Sequence, residues 1–180
     1  MIARKSALIV ATYVLNGALG YVALFFITRY MSPEEYGIVA FALGFVTLFA
    51  IFGNLGFNHA HVKKVSEGKD LGICNGTFFT IITLLSILMT VVIIGAVIFW
   101  KVILGYGFET STHELAIYIM IGYWVLHLFG RAFESTFNAR REIAKGQIPL
   151  LLETLIRVAV TIYVALAGFG AIALAFTYIA

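Results

Sequence analysis

The sequence has a single cysteine, Cys74, among 180 residues. A disulfide within the chain and a cysteine-based metal site are thereby excluded. Charge is also scarce: 12% of residues are Asp, Glu, Lys or Arg, roughly half the share in soluble domains. There is no His-Glu-x-x-His pair, no nucleotide-cradling loop and no nucleophile beside a fixed base, so no enzyme is expected, and no cofactor or metal. The start does not read as a cleavable leader. Arg4 and Lys5 precede an apolar run from Ser6 to Thr28 that outlasts a signal core and lacks a small-x-small exit. It predicts a first membrane span.

What is abundant is hydrocarbon. Apolar residues make up 62% of the chain and mean hydropathy is +1.01. A soluble domain of about 150 residues leaves roughly 30% of its chain surface in water, and this composition has too few polar residues to cover it. The bilayer is the solvent. At about 20 apolar residues per crossing, five full spans fall near 6–28, 36–57, 73–99, 114–139 and 148–168. The expected fold is an all-α polytopic transmembrane bundle, one domain over 1–180, multi-pass in the cytoplasmic membrane. A sixth apolar run follows Gly168-Phe-Gly170 and stops at Ala180, about half a crossing later. A helix end left in hydrocarbon strands its carbonyls, so a fragment of a longer protein is expected.

The breaks between spans have chemical causes. Ser32 is an N-cap candidate, Pro33 suits the first helical position, and Glu34 and Glu35 sit at the positive end of the helix dipole. His59 to Gly72 reads as a polar loop, Lys101 to His113 as a glycine-containing loop, and Arg140 to Gly146 as a basic one. His59 and His61 read as solvated. Eight of the twelve basic residues lie at the amino terminus (Arg4, Lys5), in the second loop (Lys63, Lys64, Lys69) and in the fourth (Arg140, Arg141, Lys145). Basic loops stay in the cytoplasm, which puts the amino terminus inside. The positive balance then serves anionic lipid headgroups, and nucleic acid is not an expected partner. The Asn75-Gly-Thr sequon falls on the cytoplasmic side and is expected to be unused.

Each span carries one polar or small stripe. The fourth has Tyr123, His127, Arg131, Glu134 and Asn138 at helical spacing, and the fifth has Glu153, Arg157 and Thr161. Gly76, Thr80, Thr83 and Thr90 mark the third; Thr12, Asn16 and Gly20 the first; Ala40, Gly44, Thr47 and Asn54 the second. Such stripes serve first as packing surfaces that let helices approach closely, and the neighbouring Phe41, Phe45, Phe49 and Phe52 as lipid-facing or core residues. The charges need another reason. An ionised side chain at the centre of a span costs about 2.5–3.5 kcal/mol on insertion scales. At 1.5 Å per residue, Glu134 and Arg131 lie about 8 and 12 Å inside the fourth span, and Glu153 and Arg157 about 8 and 14 Å inside the fifth. Two readings stay open: Arg131 pairs with Glu153 and Arg157 with Glu134 as an interhelical clasp, or the four line a water-filled cavity that attracts an anion. His127 is a proton-coupling candidate, with a hydrogen-bonded neutral imidazole the plainer reading.

RYMSPEEYGIVAFALGF, FGNLGF with its basic loop, FESTFNARREIAKGQIPLLLETLIRV and GFGAIALAFTYIA together resemble the amino-terminal lobe of oligosaccharide flippases, polysaccharide export proteins of the superfamily that includes multidrug and toxin extrusion transporters. The resemblance implies movement of a lipid-linked oligosaccharide, on a polyprenyl phosphate or diphosphate carrier, by alternating access between this incomplete lobe and a missing second one. It implies Arg131 and Arg157 at the anionic headgroup beside Glu134 and Glu153, with Asn16, Asn54, Thr80, Thr83 and Asn138 bonding sugar. Alternatives are a cation-coupled multidrug-type exporter, for which an unpaired carboxylate is needed, and a non-transporting assembly subunit.

Overall fold

The computed structural model describes residues 2–103, 105, 107–140 and 142–179, with backbone alone for residues 2–6, 8 and 144. Arg141, and the side chains of Arg4 and Lys5, fall outside the described residues. The described chain is helical throughout: α1 (Ile2–Tyr30), α2 (Pro33–Phe49), α3 (Phe57–Ser66), α4 (Leu71–Ile98), α5 (Ser111–Ala139), α6 (Ile143–Ala167) and α7 (Gly170–Phe176). Five stretches are long and apolar enough to cross a bilayer, within α1, α2, α4, α5 and α6. In hydrocarbon no water is available to backbone N–H and C=O groups, so each crossing must bond to itself, and only a helix does so within one segment.

The start of α2 forms as its residues dictate. Ser32 Oγ accepts from the Glu35 amide at 3.2 Å while the Glu35 carboxylate accepts from the Ser32 amide at 2.8 Å, with Pro33 opening the helix. Two otherwise orphaned amides are thus satisfied reciprocally. Three boundaries differ from the sequence expectation. The second span is not one helix to residue 57: after Phe49 it tightens into a 3₁₀ turn, Ala50–Gly53, and Leu55 and Gly56 turn the chain at φ 45° and 82°. The fifth begins five residues early, at Ile143, which sets its charges deeper in the bilayer. A π-helical turn, Phe99–Ile103, carries Lys101 on from α4, and Lys101 Nζ donates to Glu114 on α5 at 2.8 Å.

The polar loop after the second span is also more than a loop. Its first half is α3, and His61, expected in solvent, is 5% exposed. Its ring stacks on Phe78 of α4 at 4.1 Å, and Nε2 shares a hydrogen bond with Thr136 Oγ1 of α5 at 3.0 Å. The lysines misled, because Lys63 and Lys64 of the same helix do reach solvent.

α5 is the hub, packing against α2, α3, α4, α6 and α7. Ile82, Met89, Ile93 and Val97 of α4 meet Ile117, Met120 and Ala132 of α5, with Val39, Ala42 and Val46 of α2 and Leu174 of α7 closing the core. Shape-matched dispersion contacts hold this core, since lipid tails are as apolar as the residues. α1 stands apart and packs chiefly along α6. At the end of α6, Gly168 caps the helix at φ 69°, a left-handed conformation that costs glycine nothing, and α7 folds back beside α2 and α5.

Two outcomes are expected from these contacts. Ser32→Ala removes one half of the capping box and costs about 1 kcal/mol, a fall in Tm of about 2–4 °C for a chain of this size, whereas Ser32→Thr stays close to wild type; thermal unfolding in detergent measures both. Burial pushes the His61 imidazole below its ordinary 6.5, against a weaker opposing hydrogen bond that the ring donates to the Cys74 backbone. As pH falls through 6.5 the unfolded chain takes the proton first, so stability is full above that value and declines below it. Tm of the wild type should therefore drop more than that of His61→Gln between about pH 7.5 and 5.5.

Candidate functional site

α5 and α6 meet where Gly146 leaves room for the Phe137 ring and the Glu134 methylenes. Beyond this contact the two helices diverge around a cavity of about 300 Å³. α5 contributes Tyr123, His127, Arg131, Glu134 and Phe137; α6 contributes Gly146, Pro149 and Glu153; and Tyr178, just after α7, closes one end. The stripes explain this convergence. Positions 127, 131 and 134 share one face of α5, and 146, 149, 150 and 153 share one face of α6. Pro149 has no amide hydrogen, so the Lys145 carbonyl loses its helical partner at the cavity wall.

The charges around this cavity do not clasp. Among the described residues no ion pair within 4.0 Å joins Arg131, Glu134, Glu153 or Arg157; the ion pairs found involve Lys63, Lys101, Arg140 and Lys145, at the helix ends and loops. Arg131 is exposed, while Glu134, Glu153 and His127 are half-buried. His127 contacts the rings of Tyr123 and Trp124 at 5.6 and 5.3 Å, and its field includes Arg131, Glu153, Glu134 and Arg157.

Arg157 does not line this cavity. It lines a second one, of about 250 Å³, between α1, α6 and the end of α7, with Gly20, Ala23, Tyr36, Thr161 and Thr177. Its guanidinium lies 5.7 Å from the ring centre of Tyr178, within cation–π range. Tyr178 is the one residue common to both linings. Tyr123 also meets it edge-on at 5.5 Å.

The remaining candidates are scattered. Thr80 and Thr83 are exposed and spend their hydroxyl protons on the Gly76 and Phe79 carbonyls of their own helix. Asn138 is exposed, and Asn16 and Asn54 are half-buried with Oδ1 atoms that have no hydrogen-bond partner. None of these five lines either cavity. Tyr36 and Tyr178 went unmarked by sequence reasoning. Both lie inside stretches already quoted for their resemblance, Pro-Glu-Glu-Tyr-Gly and Phe-Thr-Tyr, yet neither belongs to a polar stripe.

Five helices able to cross a bilayer, and a charged cavity between two of them, define a polytopic membrane protein. The chain belongs to the polysaccharide biosynthesis protein family, whose model matches residues 2–180. No curated protein and no solved structure matches it.

Cavity lining is testable by thiol chemistry in a Cys74→Ala background. A cysteine at position 131 or 153 should react with a small hydrophilic maleimide, and one at position 117, where Ile117 is fully buried, should react at least about a hundredfold more slowly. Equal rates at all three positions would contradict the cavity.

Proposed function

We propose that the chain forms part of a flippase that carries lipid-linked oligosaccharide precursors across the cytoplasmic membrane, its amino terminus on the cytoplasmic side. One observation carries the reading: the ionised groups of α5 and α6 surround a cavity instead of pairing with each other. An unpaired charge within a span is costly, up to about 2.5–3.5 kcal/mol at its centre on insertion scales, and water or a polar cargo offsets it. Family membership supports a role in polysaccharide assembly. A multi-pass membrane protein there acts on a sugar too polar to cross hydrocarbon unaided. Carboxylates, an arginine and an imidazole beside Tyr123 suit such a cargo: the first accept hydroxyl protons, the second donates, and the ring offers a face to sugar C–H groups. The function is transport, without bond-breaking chemistry.

One observation favours a second reading. Glu134 and Glu153 have no ion-pair partner within 4.0 Å among the described residues, and a free intramembrane carboxylate is what cation coupling uses. A cation-coupled exporter of amphipathic cations would therefore place its coupling site here.

The test is translocation of a fluorescent polyprenyl-diphosphate oligosaccharide in liposomes containing the full-length protein. Glu153→Leu should slow it at least about tenfold, the cost of losing one hydrogen bond to a charged group, with assembly intact. Unchanged translocation per folded molecule, alongside impaired assembly, selects a structural subunit. Export of lipophilic cations driven by a proton or sodium gradient selects the second reading.

A further inference from the structure

α3 lies between the second and third spans and packs against α5 and α4. Two of its side chains hold it there. His61 stacks on Phe78 of α4 and meets Thr136 Oγ1 of α5 at 3.0 Å. Ser66 Oγ donates to the Ala139 carbonyl at 3.4 Å. Ala139 is the last residue of α5, so this bond satisfies a carbonyl that no amide of its own helix reaches. Left-handed residues bracket the segment: Leu55 and Gly56 before it, Gly68 after it, at φ 45°, 82° and 79°. Glycine changes the sign of φ at little cost, which gives each end of α3 a pivot.

The hydrogen bonds around His61 leave room for one more proton. The ring donates to the Cys74 backbone, and with Nε2 turned to Thr136 the donor is Nδ1. In the neutral ring Nε2 is then an acceptor, and the Thr136 hydroxyl donates to it. That hydroxyl has other acceptors in reach, the Ala132 carbonyl at 3.2 Å and Asn75 Oδ1 at 3.4 Å. A proton on Nε2 makes the ring a donor to Thr136 Oγ1, whose own proton swings to the Ala132 carbonyl. No hydrogen bond is lost. What is lost is electrostatic balance, because a buried ring becomes a cation without a counter-charge. On the neighbouring elements Asp70 caps α4, Lys63 pairs with Glu67, and Arg140 with Glu142. His127, Arg131 and Glu134 line the α5–α6 cavity, His113 and Glu114 lie at the far end of α5, and His59, Lys64 and Lys69 are exposed. Neither these groups nor the Cys74 thiol act on the ring, which burial and the Cys74 backbone bond alone govern.

We propose that α3 is a proton-released latch: neutral His61 clamps it to α4 and the end of α5, and proton uptake by the ring frees α3 and, with it, the last turn of α5. Thr136 lies in sequence between Glu134 and Phe137, both of which line the cavity, so the turn that is freed is one that frames the cavity between α5 and α6. The direction follows from burial. Docked, the ring is held below its ordinary 6.5; released, it regains solvent and its ordinary value. The released form therefore binds the proton more tightly, so the latch is closed above 6.5 and opens as pH falls below it. A single proton limits the response to at most about tenfold per pH unit. The device does not depend on the cargo, and it stands even where the flippase reading fails.

Hydrogen–deuterium exchange reads the latch in the full-length protein in nanodiscs of zwitterionic lipid, with each rate divided by the intrinsic rate at that pH. Between about pH 7.5 and 5.5, protection of amides 57–66 should fall at least about threefold and that of amides 136–140 at least about twofold, while amides 82–93 of α4 change by less than about 1.3-fold. His59→Gln should keep the whole response. His61→Gln should abolish it, as should His61→Phe, which keeps a ring against Phe78 but takes no proton. A fall of wild-type size in either His61 variant, or no fall in the wild type, overturns the proposal. So does a fall at 57–66 with none at 136–140, which reduces α3 to a helix that frays alone. Where both His61 variants leave α3 unprotected already at pH 7.5, titration of the wild-type ring by ¹⁵N NMR decides. A midpoint that coincides with the loss of protection supports the latch, and a ring still neutral where α3 has opened refutes it.

Discussion

An ionised side chain in hydrocarbon must find water, a counter-charge or a ligand. The structure answers this differently at different depths. Near the ends of the spans the answer is local pairing: Lys101 with Glu114 at one end, Arg140 and Lys145 with Glu142 at the other. Exposed pairs of this kind contribute little to stability. Their effect is to keep helix ends in register with the headgroups. Deeper in, the pairing stops, and α5 and α6 stand apart around their charged groups. Because every crossing already satisfies its own backbone, the side chains alone decide where the bundle is wet.

That division follows the packing. α2, α4, α5 and α7 supply most of the apolar core, built largely from Ile, Val, Met and Ala. Of its buried members α1 and α6 supply only Ile27, Val164 and Ala165, and both cavities border α6. Polar residues gather where the packing is loosest, since a buried polar group without a partner costs more than one beside a cavity. Tyr178 then matters out of proportion to its place in the chain, because its ring meets both the Arg157 guanidinium and the Tyr123 ring.

Much of this was legible in the residues. Apolar length locates a crossing well, and Ser32, Pro33 and Glu35 mark a helix start by local chemistry that no tertiary contact needs to assist. Helical spacing also placed His127, Arg131 and Glu134 on one stripe and Glu153 on another, and all four line one cavity. Spacing says nothing about rotation of one helix against another, so the stripe of Thr80 and Thr83 turned out exposed, and Arg157, one turn from Glu153, entered a different cavity. The lysines around His61 hid α3, because a short helix with one buried face reads as polar when its other face is basic. Tyr36 and Tyr178 were invisible for a related reason: aromatic rings are common in such a chain, and only their position in space sets these two apart.

The small share that α1 and α6 have in the apolar core has a mechanical side. Held mainly by each other, with α6 missing a rung of its ladder at Pro149, the two form a plank hinged to a stiffer block. The gap in the hydrogen-bond ladder and the charge-bearing side chains thus fall along one seam.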